Sequence, residues 1–199
     1  MVDSQGNPVP KLFAMKICDK RKLYMMRSVE SVKCEMNILS TIIHPLCLNM
    51  QYAFHDTKNV YMVSEYLKGG SLRYFMNKDN IVFTEKQTQF IIACLILALE
   101  FLHNNGVLHR DIRPENMVFD EQGFCKLCDF GGAREWKEYN MSDTSGHPGY
   151  IAPEVLNREK HGTAADYFAV GVVAHELMRA KRPWDGETRD AYKKAVMIE

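Results

Sequence analysis

The apolar positions of this chain change period several times, and each change marks an element. Residues 11–18, Lys-Leu-Phe-Ala-Met-Lys-Ile-Cys, are rich in apolar and aromatic side chains after the turn signal Gly6-Asn7-Pro8 and predict a strand. From 28 to 43 the period lengthens, and Val29, Val32, Met36 and Leu39 fall on one stripe of a helix that His44-Pro45 ends. Residues 50–55 and 60–66 are again strand-like and flank Asp56-Thr57-Lys58-Asn59, which predicts an antiparallel hairpin. Gly69-Gly70 breaks the pattern and marks a boundary between two lobes, residues 1–68 and 69–199.

Beyond the glycines the period is helical, over 71–76 and again over 84–104, where Thr84 and Gln87 make a capping box. A hairpin is expected around Asp120-Glu121-Gln122-Gly123, followed by an irregular stretch rich in Ser, Gly and Pro. A mostly apolar helix over 164–179 is expected to close the recognisable structure. The sequence has no internal repeat and no low-complexity tract.

With 199 residues, 46% of them hydrophobic, the chain has material for a sizeable core in one domain or two small lobes. A formal charge of zero argues against a nucleic-acid or anionic-membrane footprint. The N-terminal residues lack the basic and apolar regions of a secretory signal. The apolar window 90–102 is shorter than a bilayer span and predicts a buried helix, so no membrane segment is expected. Six scattered cysteines form no disulfide framework, which fits a reducing, cytoplasmic setting. Cys125 and Cys128 have C-x-x-C spacing, but on a strand those positions point to opposite faces and no second pair exists.

The chemistry concentrates in His109-Arg110-Asp111, Asn116 and Asp129-Phe130-Gly131. Phosphoryl transfer demands positioning and charge neutralisation: a carboxylate facing the acceptor hydroxyl and oxygen ligands for magnesium. In this order and spacing the residues resemble the catalytic and metal loops of a eukaryotic protein kinase of the serine/threonine type. By that resemblance, Asp111 would face the hydroxyl, and Asn116 and Asp129 would hold Mg2+. The likeness is to the group of the cyclic-nucleotide-dependent kinases, including its YANK-like branch.

That resemblance implies a two-lobed α+β fold with a small antiparallel-sheet N-lobe and a mainly helical C-lobe. It implies ATP as phosphoryl donor, magnesium, and serine or threonine of protein substrates as acceptor. Lys16 in Ala14-Met15-Lys16 matches the lysine that contacts the nucleotide phosphates, and Glu35 matches its ion-pair partner. Backbone groups of Glu65 and Leu67 would hydrogen-bond the adenine edge, Ala14 and Val118 would sandwich the ring, and Ser64 would be a small gatekeeper. Cys128 would border the nucleotide site. Leu39, Met50, His109 and Phe130 would stack as an apolar column between the lobes. Ala152-Pro153-Glu154 matches the end of the activation segment, and Asp166 would accept hydrogen bonds from the catalytic-loop backbone or act as a plain helix cap. Glu115 and Glu176 match carboxylates that receive substrate arginines, which implies basic residues near the acceptor, although Ser71 stands where a further carboxylate is usual.

Several positions depart from the family pattern. No G-x-G-x-x-G lies upstream of Lys16 and Glu199 follows soon after 164–179, so both lobes are expected to be truncated, without the glycine loop and the last helices. The apolar face of Val170, Val173, Leu177 and Met178 would then lie uncovered and make the chain poorly soluble. Arg113 stands in place of a lysine beside the catalytic aspartate, and His147 in place of a threonine. Asp143 replaces a phosphothreonine and would pair with Arg110, with Ser142, Thr144 and Ser145 as further phosphosite candidates. The rival reading is a pseudokinase, a non-catalytic binding module or an inactive fragment. Intact Lys16, Asp111, Asn116 and Asp129 oppose it, whereas the absent glycine loop, Arg113 and His147 favour it. The resemblance names no regulatory domain or subunit.

Overall fold

Residues 11–78, 81–137, 144–186 and 188–198 are described in this computed structural model of the protein. The turn signal at Gly6-Asn7-Pro8, together with Ser142 and Asp143, lies outside the described residues.

Strands β1 (Phe13–Asp19), β2 (Met50–His55) and β3 (Asn59–Glu65) form an antiparallel sheet in the order β1-β3-β2. Across β1 and β3, Ala14 sits opposite Ser64 and Lys16 opposite Met62. Because side chains alternate along a strand, these positions share one face while Met15 and Ile17 take the other. The second face also carries Tyr52 and Phe54, and all four side chains are exposed.

Two helices connect β1 to β2. The first, α1 (Lys20–Met25), has no counterpart in the hydrophobic pattern because it buries no residue. It is started by a cap instead: Asp19 accepts a hydrogen bond from the Lys22 N–H at 2.9 Å. In α2 (Val29–Thr41) the buried positions are Glu35, Ile38 and Leu39. Val29, Val32 and Met36 are only half-buried, so the stripe read from the sequence is rotated from the true one. The reason is chemical: a carboxylate that pairs inside the molecule occupies part of the face that periodicity reserves for apolar residues.

Gly69 and Gly70 lie between β3 and the helical part of the chain, at a close approach of two backbones. The Gly69 N–H donates to the Phe119 carbonyl and the Phe119 N–H donates to the Gly70 carbonyl, both at 2.9 Å. A Cβ at Gly69 would lie 2.6 Å from Phe119 Cβ, and Gly70 has a φ of 81°, so neither position accommodates a side chain comfortably.

The second lobe begins with α3 (Leu72–Lys78) and α4 (Glu85–Asn104), the latter opened by the expected Thr84–Gln87 capping box. By length and composition α4 could cross a membrane, but Ile91, Cys94, Leu95, Ala98, Leu99 and Leu102 are buried in the core. Four short strands follow: β4 (Val107–Leu108), β5 (Met117–Phe119), β6 (Cys125–Leu127) and β7 (Arg134–Glu135). They pair as β4 with β7 and β5 with β6, each antiparallel. Three helices, α5 (Pro153–Leu156), α6 (Ala164–Arg179) and α7 (Arg189–Ile198), complete the described chain.

Two expectations are corrected by the packing. Val170, Val173 and Leu177 are buried in the shared core where α6 meets α4, and of the four residues expected to lie uncovered only Met178 is exposed. The recognisable structure also continues beyond α6. Helix α7 docks on α5 through fully buried Tyr192, whose hydroxyl donates to the Ile151 carbonyl at 3.2 Å. One apolar core runs from Ile38, Leu39 and Met62 through Phe130 to α4 and α6 and joins the lobes.

Candidate active site

The site lies where that core is interrupted by charge. Lys16, from the inner face of β1, places its ammonium 2.7 Å from Glu35 Oε1 and 3.8 Å from Asp129 Oδ1. Two carboxylates distant in sequence thus share one cation. Burial by itself lowers the Lys16 pKa, but the hydrogen bond and charge of Glu35, with Asp129 behind it, hold it above the usual lysine value. The ammonium is therefore charged at every physiological pH.

Asp129 stands in the left-handed region at φ 58°, where its carboxylate accepts the Gly131 N–H at 3.2 Å. Arg110 is likewise left-handed, at φ 65°. Such backbone costs about 1–3 kcal/mol per residue and persists only where the surroundings over-determine it. Asp166 does this for Arg110. Its carboxylate accepts the His109 N–H at 3.0 Å, the Arg110 N–H at 2.8 Å and His103 Nε2 at 2.8 Å. Asp166 lies in the first turn of α6, whose cap is Thr163, so the plain-cap alternative fails.

His109 is fully buried and is fixed as one tautomer by its two neighbours. Nδ1 accepts from the Asp111 N–H at 3.4 Å, which leaves Nε2–H to donate to the Cys128 carbonyl at 3.2 Å. Burial outweighs the nearby carboxylates and keeps the imidazole below its ordinary pKa, hence neutral. Its ring packs edge-on against Phe130 with centroids 5.2 Å apart, and Leu39, Met50 and Phe130 meet around the neighbouring cavity. Of the expected column, Leu39 and Phe130 belong to one buried core against which Met50 packs, and His109 joins it through Phe130.

Asp111 is oriented by Asn116, whose Nδ2 donates to Asp111 Oδ2 at 2.8 Å and to its carbonyl at 2.9 Å. Arg113 Nε lies 3.6 Å from the same Oδ2. His147 is close enough to sense both charges; burial first, and then Arg113, hold it below the usual histidine pKa. The donor set fits magnesium, which takes one or two carboxylates and fills its remaining positions with phosphate oxygens and water. Asp129 offers a half-exposed carboxylate, and Asn116 keeps its amide oxygen once both nitrogen contacts go to Asp111. Among the described residues no three His, Cys, Asp or Glu side chains cluster as a self-sufficient metal cage.

A cavity of about 280 Å³ opens beside the ion pair, lined among others by Lys16, Glu35, Met62, Ser64, Asp129 and Phe130. Ala14 and Val118 are not part of that lining. Glu65 and Leu67 border a separate depression with Lys126. The Glu65 side chain is engaged there, accepting from Lys126 Nζ at 2.8 Å and from the Asn49 N–H at 3.0 Å. Cys128, next to Asp129, is buried with its thiol pKa pushed up to about 12, so it is no thiolate at neutral pH.

Three contributors escaped the sequence reading: His103, which braces Asp166, and Arg73 with Tyr150, which engage Glu115 and Glu176. Nothing local marks them, since each acts on a residue more than 25 positions away.

Comparison with known proteins agrees with this geometry. Residues 7–199 match the protein kinase domain family. The chain is 37% identical over 191 residues to a probable serine/threonine-protein kinase of Dictyostelium discoideum, covering 95% of this chain and 42% of that protein. It is 36% identical to the cAMP-dependent protein kinase catalytic subunit of the same organism, over 92% of this chain and 28% of the relative. Identity to human ribosomal protein S6 kinase alpha-2 is also 36%, over 93% of this chain and 25% of the relative. The chain thus spans less than half the length of each of these relatives. Its two-lobed architecture, its paired Lys16 and Glu35, and its match along nearly the whole sequence place it by descent: the chain belongs to the protein kinase domain family.

Proposed function

We propose that this chain transfers the γ-phosphoryl group of ATP to serine or threonine hydroxyls of protein substrates, with magnesium. The observation that carries the reading is the Lys16 ammonium held between Glu35 at 2.7 Å and Asp129 at 3.8 Å. A lysine so placed is oriented for phosphate oxygens while Asp129 remains near enough to share the same phosphates through a cation. Magnesium, when bound by Asn116 and Asp129, supplies neutralisation of phosphate charge.

The remaining work falls to the side chains. Asp111, fixed by Asn116, orients the acceptor hydroxyl and accepts its hydrogen bond. Arg113, 3.6 Å from the Asp111 carboxylate, adds positive charge where the transferred group passes. Glu65 and Leu67 would hold the adenine edge by their backbone, and Ala14 and Val118 its faces. A cytoplasmic setting belongs to the same reading, supported by six cysteines that are all free thiols.

The test is magnesium-dependent incorporation of labelled phosphate into serine peptides by the chain and by Asp111→Asn. The reading expects transfer by the first and a loss of at least about 100-fold by the second. Nucleotide binding without any transfer by the unaltered chain would favour a binding module instead.

A further inference from the structure

Arg73 leaves α3 and ties together four parts of the second lobe. Its Nε donates to Glu115 Oε1 at 2.8 Å, its Nη1 to Glu176 Oε1 at 2.9 Å and its Nη2 to the Tyr150 hydroxyl at 2.7 Å. Tyr150 in turn donates to Glu176 Oε2 at 2.5 Å. Glu115 lies in the loop between Asp111 and Asn116, Tyr150 precedes Ala152-Pro153-Glu154, and Glu176 lies on α6; the cluster reaches Asp111 through Arg113, whose Nε is 3.9 Å from Glu115 and 3.6 Å from Asp111.

Two adjacent carboxylates form a receptor for a guanidinium, because its planar fork matches two acceptors at once. Here the fork is supplied from within. The Arg73 side chain is only 22% exposed and that of Glu176 only 8%, so the pair is largely withdrawn from water. The second Glu115 oxygen is buried without a hydrogen-bond partner, 3.9 Å from Arg113 Nε. Glu115 and Glu176 carry two negative charges, and Arg73 and Arg113 return two positive ones. Because Arg113 is shared with the Asp111 carboxylate, 3.6 Å away, the group as a whole keeps one unmatched negative charge, and Arg73 cancels half of the charge that Glu115 and Glu176 would offer a substrate cation. A substrate arginine entering there would have to evict Arg73 and leave a half-buried guanidinium without its partners, which is strongly unfavourable.

We propose that Arg73 is a specificity-determining residue that fills the subsite formed by Glu115 and Glu176, so that the chain accepts serine or threonine segments with a neutral rather than a basic side chain at that position. This replaces the basic preference expected from Glu115 and Glu176 alone, and it rests on the kinase reading above. The two carboxylates are present as the sequence indicates. Tertiary structure assigns them to an internal partner.

The experiment steps a single arginine through each position flanking the serine of an otherwise neutral peptide. It reads kcat/KM and, independently of turnover, peptide Kd by fluorescence anisotropy on the chain with ATP analogue and magnesium. In the unaltered chain no arginine position is expected to improve either quantity by more than about threefold. In Arg73→Ala the carboxylate pair is unmasked, and arginine at one position is expected to gain about tenfold or more in Kd and KM. Adding Glu176→Gln to Arg73→Ala should remove that gain. Arg73→Lys, which keeps the charge without the fork, covers the case in which Arg73→Ala does not fold and should show a smaller gain of the same position. A tenfold preference for arginine in the unaltered chain, or an Arg73 variant that folds and stays indifferent, overturns the assignment. Absence of transfer to every peptide, with the Kd pattern as expected, overturns the kinase reading and leaves the subsite standing.

Discussion

Replacing Asp166 tests how the catalytic loop is held. Its carboxylate is 2% exposed and receives the backbone N–H groups of His109 and Arg110 at 3.0 and 2.8 Å, with His103 Nε2 at 2.8 Å. Asp166→Ala leaves two backbone donors without an acceptor, one of them on a residue with no exposure at all. Each unmet buried donor costs about 1–3 kcal/mol, so the loss should be about 2–6 kcal/mol. For a chain of this size each kcal/mol moves Tm by about 2–4 °C, and a fall of roughly 5–20 °C follows. His103→Ala should cost less, about 1 kcal/mol, because Asp166 keeps both backbone donors. Activity should respond as well: loop displacement of about 1 Å costs on the order of 100-fold in kcat/KM. Thermal melting and steady-state kinetics of the two variants read both effects. An Asp166→Ala protein that melts within about 1 °C of the parent and keeps its kcat/KM would refute this account of the loop.

Lys16→Ala leaves the Glu35 carboxylate, only 5% exposed, without its partner, so stability should fall by about 1–3 kcal/mol, while phosphotransfer should fall at least about 100-fold; an unchanged melting temperature would mean that Glu35 finds another partner. His44, His109 and His147 are all held below the ordinary histidine pKa, in each case first by burial. Their contribution to stability is therefore complete above about pH 6.5 and is lost as pH falls through the folded values, because the unfolded chain takes up protons first. Melting should drop between about pH 7 and 5, and His109→Phe should flatten that drop; Glu115 and Asp56, both held below the usual carboxylate range, act only below about pH 4.5. Ser64 borders the 280 Å³ cavity, so a purine inhibitor enlarged toward it should bind Ser64→Met at least about tenfold more weakly than the parent, and equal affinity would place the inhibitor elsewhere.

Elements with a strong local signal are legible in the sequence itself. The Thr84–Gln87 capping box opens α4 as expected, and the hairpin over Met50–His55 and Asn59–Glu65 forms around its predicted turn. The elements that differ from expectation have a common cause. Helix α1 depends on one capping hydrogen bond and buries nothing, so it leaves no periodic trace. In α2 the buried Glu35 breaks the apolar stripe because its partner Lys16 is 19 residues away. Helix α7 does carry an apolar stripe, with Tyr192 and Val196 one turn apart, but its partner α5 is set only by the fold.

The family was legible in the sequence through a resemblance: His109-Arg110-Asp111, Asn116 and Asp129-Phe130-Gly131 stand in the order of a protein kinase, and Lys16 and Glu35 were assigned by the same likeness. Which charge answers which was decided only in three dimensions. Asp166 could have been a helix cap, and Glu115 and Glu176 could have awaited a substrate cation. Folding instead brought two backbone N–H groups to the first and Arg73 to the other two. A side chain's type and local position are written in the chain, but its partner is set by the packing of elements far apart in sequence, and at buried positions the partner determines what a charge can do.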